Sequence, residues 1–107
     1  MDMLYYIYIG SNRVTIDHLS KITGGMFMAV SSCNKAAKVI DGIRERYNTS
    51  ILYEESTPQK DSQNITFLHK RFPRVYIILI TEGLQKEHRK LYLQAGVNNT
   101  LSPMASE

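Results

Sequence analysis

The sequence predicts an α/β domain built on a doubly wound, five-stranded parallel sheet in the order 2-1-3-4-5. Five strand-like runs alternate with four helical patterns along 107 residues, and the connections between them are short. The two strongest apolar runs, Leu4–Ile9 (LYYIYI) and Val75–Ile80 (VYIILI), lack the polar and apolar alternation of a half-solvated strand. Strands apolar on both faces and separated by helices form parallel sheets, because each parallel pair needs a crossover and right-handed crossovers place helices on both faces. In such a sheet a crevice opens at the carboxyl ends of the first and third strands.

The elements follow in order. Leu4–Ile9 is aromatic and β-branched, and Gly10-Ser11-Asn12 closes it. From Val14 to Ile22, Val14, Ile16, Leu19 and Ile22 fall at mostly helical spacing, with Gly24-Gly25 as the stop. Phe27–Ser31 reads as the second strand. Asn34 is then a plausible N-cap for a helix whose apolar face is Ala36, Ala37, Val39, Ile40 and Ile43. Ser50–Glu54 forms the third strand, after which Asp61 or Ser62 can cap a helix carrying Ile65, Leu68 and Phe72, with Pro73 beyond its end. Val75–Ile80 is the strongest strand of the chain and belongs in the middle of the sheet. Leu84–Ala95 places Leu84, His88, Leu91 and Ala95 on one helical face, stops at Gly96, and leads to a weak strand at Asn99–Leu101. Ser102 to Glu107 has the look of a helix start without its body. A fifth helix is therefore expected to be truncated or missing, leaving part of the flank near the last strand exposed and apolar.

Size and composition narrow the function classes. A chain of 107 residues fits one domain, here residues 1–107, read as the N-terminal part of a longer protein. Apolar residues at 43% and charged ones at 21% suit a packed globular core. The net charge of +3 is spread over small groups, Arg44/Arg46, Lys70/Arg71 and Lys86/Arg89/Lys90, so no nucleic-acid stripe forms and no direct nucleic-acid contact is expected. The single cysteine, Cys33, excludes an internal disulfide and, with no leader pattern, suits the cytoplasm. It reads as a small residue at a helix start or in the core. No apolar run approaches a membrane span. His18, His69 and His88 fall on three different helices without a second ligand at helical spacing. Ser11 lacks the turn and partners of a nucleophile. No acid, base and nucleophile set converges, so the chain is not expected to be an enzyme. The tyrosines of the strands read as core residues whose hydroxyls need partners.

Four landmarks in the right order make the chain resemble a CheY-like receiver domain of the two-component response-regulator family, a flavodoxin-like fold, over nearly its whole length. They are Glu54 with Pro58 four residues later, Thr81 closing the fourth strand in LITEG, the Ala95-Gly96 pair ending the fourth helix, and Pro103 after the fifth strand. The resemblance implies five site groups: two acidic residues after the first strand, an aspartate at the end of the third, a hydroxyl after the fourth, and a lysine before the proline. Here the first positions hold Gly10, Ser11 and Asn12, the phospho-acceptor position holds Glu54, and Ser102 stands where the lysine would. The aromatic switch position falls on Asn99 or Thr100. Only Thr81 retains its hydroxyl. With Glu54 as the one carboxylate, no functional metal site and no cofactor are expected.

The resemblance thus implies a degenerate pseudo-receiver: a protein-interaction or dimerisation module in a signal-transduction system, serving an attached output domain or a partner protein. That output could be DNA-binding or enzymatic, for example a sugar transferase. The helical face with Lys86, Arg89, Lys90 and Tyr92 is where such a domain would touch its partner or a second copy. Glu54 either biases the domain toward an active-like state or points its charge into a solvated crevice, and Glu55 reads as a solvated loop residue. The alternative reading is a regulatory flavodoxin-like domain that binds a small molecule or anion in a crevice lined by Gly10, Ser11, Glu54, Thr81 and Ser102.

Overall fold

The computed structural model describes residues 4–43 and 48–104, so Arg44, Arg46 and the final Ala105, Ser106 and Glu107 lie outside the described residues. The elements are β1 (Tyr5–Ile9), α1 (Arg13–Ile22), β2 (Met26–Val30), α2 (Cys33–Asp41), β3 (Thr49–Glu54), α3 (Pro58–Arg71), β4 (Tyr76–Ile80), α4 (Lys86–Ala95) and β5 (Asn99–Leu101). All four strand pairings are parallel, in the order β2-β1-β3-β4-β5. The predicted architecture is therefore the observed one, with four helices and, among the described residues, none after β5.

The strands bury both faces, but unequally. On one side Ile7, Ile9, Ile51, Tyr53, Ile77 and Leu79 pack beneath α2, α3 and α4, which contribute Ala36, Ala37, Ile40, Ile65, Leu68, Phe72, Tyr92 and Ala95. On the other, Tyr8, Leu52 and Ile80 meet α1 through Leu19, with Ile16 and Ile22 at the margin. Each fully buried Leu or Ile stabilises the fold by roughly 1.5–3 kcal/mol, so the three-helix layer carries most of the apolar stabilisation. Tyr76 is 44% exposed, while Ile78 and Leu101 are half-buried against the Tyr8, Leu19, Leu52 and Ile80 group.

Helix starts differ from the sequence reading. α2 is capped by Ser32, whose hydroxyl accepts from Lys35 N at 3.2 Å, and Asn34 lies inside the first turn. Cys33 opens that helix. α3 begins at Pro58, where a missing N–H costs nothing and the fixed φ suits the first turn. Asp61 is consequently inside the helix rather than capping it. β2 sits one residue earlier than expected. α4 begins at Lys86 and buries Tyr92 and Ala95, and Leu84 ahead of it packs against the same core, while Leu91 is exposed, so Tyr92 rather than Leu91 completes the inward face.

Candidate functional site at the carboxyl edge of the sheet

The loops after β1, β3, β4 and β5 meet at the carboxyl edge, as the strand order requires. The Gly10-Ser11-Asn12 turn is fixed at both ends. Gly10 N donates to Val30 O at 3.0 Å, and the Asn12 side chain caps α1, accepting from Val14 N at 3.0 Å and Thr15 N at 3.2 Å. Asn12 thus serves the helix end it stands on. A Cβ at Gly10 would lie 2.8 Å from the Glu54 Cβ and 2.8 Å from the Tyr8 hydroxyl, so only glycine lets β1 pass this close to β3.

That close approach brings the Tyr8 hydroxyl onto Glu54, to whose carboxylate it donates. Glu54 is half-buried, borders the cavities at this edge and holds the Tyr8 hydroxyl. Burial, and then the hydrogen bond and charge of Glu54, raise the Tyr8 pKa well above the ordinary tyrosine value. Glu55 is equally committed: Thr81 Oγ1 donates to Glu55 Oε1 at 2.6 Å and accepts from Gly83 N at 3.2 Å. The reading of Glu55 as a solvated loop residue is thus corrected. Backbone bonds hold the same loops, with Glu55 N donating to Ile80 O and Thr81 N to Leu101 O, at 3.0 and 2.9 Å. Ser102 is exposed, and its hydroxyl accepts from Met104 N at 3.3 Å.

Behind these loops stands a group the sequence reading missed. Asp61 is 0% exposed, and its carboxylate accepts from the Tyr53 hydroxyl at 3.0 Å, from Ser56 N at 2.7 Å and from the Tyr92 hydroxyl at 2.8 Å. Asn64 Nδ2 donates in turn to the Tyr53 hydroxyl at 2.9 Å. One carboxylate thus joins β3, the loop carrying Glu55, α3 and α4. The sequence held a clue: Pro58 at the first helical position moves Asp61 inward, and the strand tyrosines need acceptors. Tyr92, expected on the interaction face, is instead buried and spent on Asp61, whereas Lys86, Arg89 and Lys90 are exposed.

Burial, reinforced by Asp61, raises the pKa of Tyr92 above the ordinary value; for Tyr53 burial and Asp61 raise it while the Asn64 bond opposes them. For a group whose folded pKa is raised, its stabilising effect is full below the unfolded value and fades as pH climbs toward the folded one. The contribution of these tyrosines to the unfolding free energy is therefore expected to stay flat up to about pH 10 and to fall above it. Absorbance of tyrosinate during an alkaline titration checks this: Tyr8, Tyr53 and Tyr92 should ionise only together with unfolding, and gradual ionisation in a folded chain would contradict it.

Cavities border these residues, three of them among the described residues. The largest, about 540 Å³, is lined by Gly10, Ser11, Ser32, Cys33, Glu54, Lys60 and Asn64 among others. A second, about 260 Å³, lies between Asn12, Glu54, Glu55 and Thr81. The third, about 400 Å³, runs between Thr81, α4 and β5 and reaches Ser102. Among the described residues no three His, Cys, Asp or Glu side chains converge as a metal site would need. The Cys33 thiol is pushed up to about 11 by burial and then by the charge of Asp61, against the opposing Lys60, so it is protonated at neutral pH.

No protein-family model matches the chain, and no curated protein does. Solved structures match closely in shape. A CheY-like protein (TadZ) from Pseudomonas aeruginosa PAO1 superposes with a TM-score of 0.80 at 13% identity, over 98% of this chain and 84% of that one. The signal receiver domain of an HD domain-containing protein from Pseudomonas fluorescens Pf-5 gives 0.77 at 14%, over 95% and 76%. A two-component response regulator from Legionella pneumophila gives 0.72 at 14%, over 92% and 85%. The chain therefore has the CheY-like receiver fold, the flavodoxin-like arrangement expected from its landmarks. At such identities the likeness establishes the fold, and the chemistry must be argued from the residues at the carboxyl edge.

Proposed function

We propose that the chain is a regulatory receiver-type domain that has lost phosphoryl transfer and acts by protein contact. The observation that carries this reading is the fate of the two site carboxylates: Glu54 is bonded to Tyr8 and Glu55 to Thr81. A phospho-acceptor must be free to attack, and the hydroxyl that would meet the phosphoryl group must be free to turn. Here both are held. With Gly10, Ser11 and Asn12 at the acidic positions and Ser102 at the lysine position, neither a magnesium ion nor a phosphoryl group finds its usual partners. Thr81 facing a carboxylate supports a domain kept in one conformation, which presents its surface without a chemical signal.

On this reading the domain works in the cytoplasm, is not itself an enzyme, and serves an output domain in the same chain or a separate partner. The exposed Lys86, Arg89 and Lys90 on α4 would contact that partner's acidic groups. The structural neighbours include the signal receiver domain of an HD domain-containing protein, so a further domain attached to this one is one form the partner could take. Incubation with acetyl phosphate and magnesium should leave the intact mass unchanged. A gain of one phosphoryl group at Glu54 would refute the proposal.

A second reading is favoured by one observation, the 540 Å³ cavity edged by Lys60, Ser11, Ser32 and Asn64 and by the carboxylates of Glu54 and Asp61, which offers both donors and acceptors to a small polar molecule. A thermal-shift screen separates the two: dose-dependent stabilisation by a metabolite supports ligand binding, and a flat screen supports the contact module.

A further inference from the structure

The two edges of the sheet are treated differently. β5 is three residues long, and its Asn99 and Thr100 are polar and exposed, the usual way of blunting an edge. β2 has none of these protections. It is hydrogen-bonded on one side only, to β1, and reads Met-Phe-Met-Ala-Val without a proline. No charged residue stands anywhere between Lys21 and Lys35. Met26 and Met28 are 55% and 47% exposed. An open, neutral, apolar edge strand is a template for another strand.

We propose that β2 pairs antiparallel with β2 of a second copy of this chain, joining two sheets into one across a two-fold axis at Met28. The strand is complementary to itself in that register. Met28 faces Met28, Met26 faces Val30, and the bulky Phe27 faces the small Ala29 on each side of the axis. Phe27 is already oriented by its stacking with Tyr8, ring centroids 6.4 Å apart, and Ala29 is exposed, leaving room for the incoming ring. A charge on the axis would face its own copy, and the residue there is the neutral Met28. The contact is distinct from the basic face of α4 and leaves that face open, so it does not depend on the reading given above. Pairing of five residues a side falls below the ~1,200 Å² of a standard interface, and a dissociation constant of about 1–100 µM is expected.

Sedimentation equilibrium on the whole chain tests this across a series reaching about 1 mM. A reversible dimer should form and should vanish in Met28→Lys, which sets two ammonium groups against each other while circular dichroism stays native. In a Cys33→Ser background, Met28→Cys should form a disulfide-linked dimer on mild oxidation, because opposed residues of antiparallel strands bring their Cβ atoms to about 4.5–5.5 Å. Leu93→Cys, exposed on α4, should stay monomeric. A chain that remains monomeric throughout the series overturns the proposal, as does a dimer indifferent to Met28→Lys or one linked through Leu93→Cys alone.

Discussion

Replacing Asp61 with alanine is expected to lower the unfolding free energy by about 3–5 kcal/mol, the largest loss foreseen for any polar residue here. The reason is the number of donors left behind. The Tyr53 hydroxyl, Ser56 N and the Tyr92 hydroxyl all end on this one carboxylate, which is fully buried. Deletion strands the buried Tyr53 and Tyr92 hydroxyls, at about 1–3 kcal/mol each before relaxation, while Ser56, which is exposed, loses less. Asp61→Asn keeps the shape and one oxygen, and should lose roughly 1–3 kcal/mol. Urea unfolding followed by circular dichroism decides the matter. A loss in Asp61→Ala no greater than that of an ordinary surface substitution would show that the donors find other partners and that the carboxylate does not organise this edge.

Gly10→Ala should be the next most damaging change, at about 1–3 kcal/mol. The added methyl would sit 2.8 Å from both the Glu54 Cβ and the Tyr8 hydroxyl, and neither neighbour is the free end of a flexible chain. To admit it, β1 and β3 must part or Tyr8 must leave Glu54. The second route has its own signature. Without the charge and hydrogen bond of Glu54, the Tyr8 pKa should drop toward the ordinary value, and alkaline unfolding should begin at lower pH than in the unaltered chain. An alanine variant with unaltered stability and an unaltered alkaline transition would mean the turn has room that the backbone does not display.

The sheet was legible because its signals are additive. Continuous runs such as VYIILI leave few other placements, and the apolar spacing in α2 and α3 fixes which faces turn inward. What escaped were residues whose role is defined by a partner distant in sequence. Asp61 near a helix start reads as a cap until Tyr92, 31 residues later, brings it a hydroxyl. Tyr92, flanked by the exposed Leu91 and Leu93 and preceded by Arg89 and Lys90, looks like a surface residue for the same reason. Glu54 and Glu55 illustrate a subtler limit. Their places after β3 were evident, yet whether each was free depended on Tyr8 and Thr81, which the fold delivers from neighbouring strands.

The unequal covering of the two faces carries a consequence for motion. α1 rests on a small group around Tyr8, Leu19, Leu52 and Ile80, whereas α2, α3 and α4 share one continuous interior. Opening of a single element costs only the contacts that element makes. Amide protons of α1 should thus be traded for deuterium well before those of α3, giving the molecule a loosely latched side and a firmly closed one.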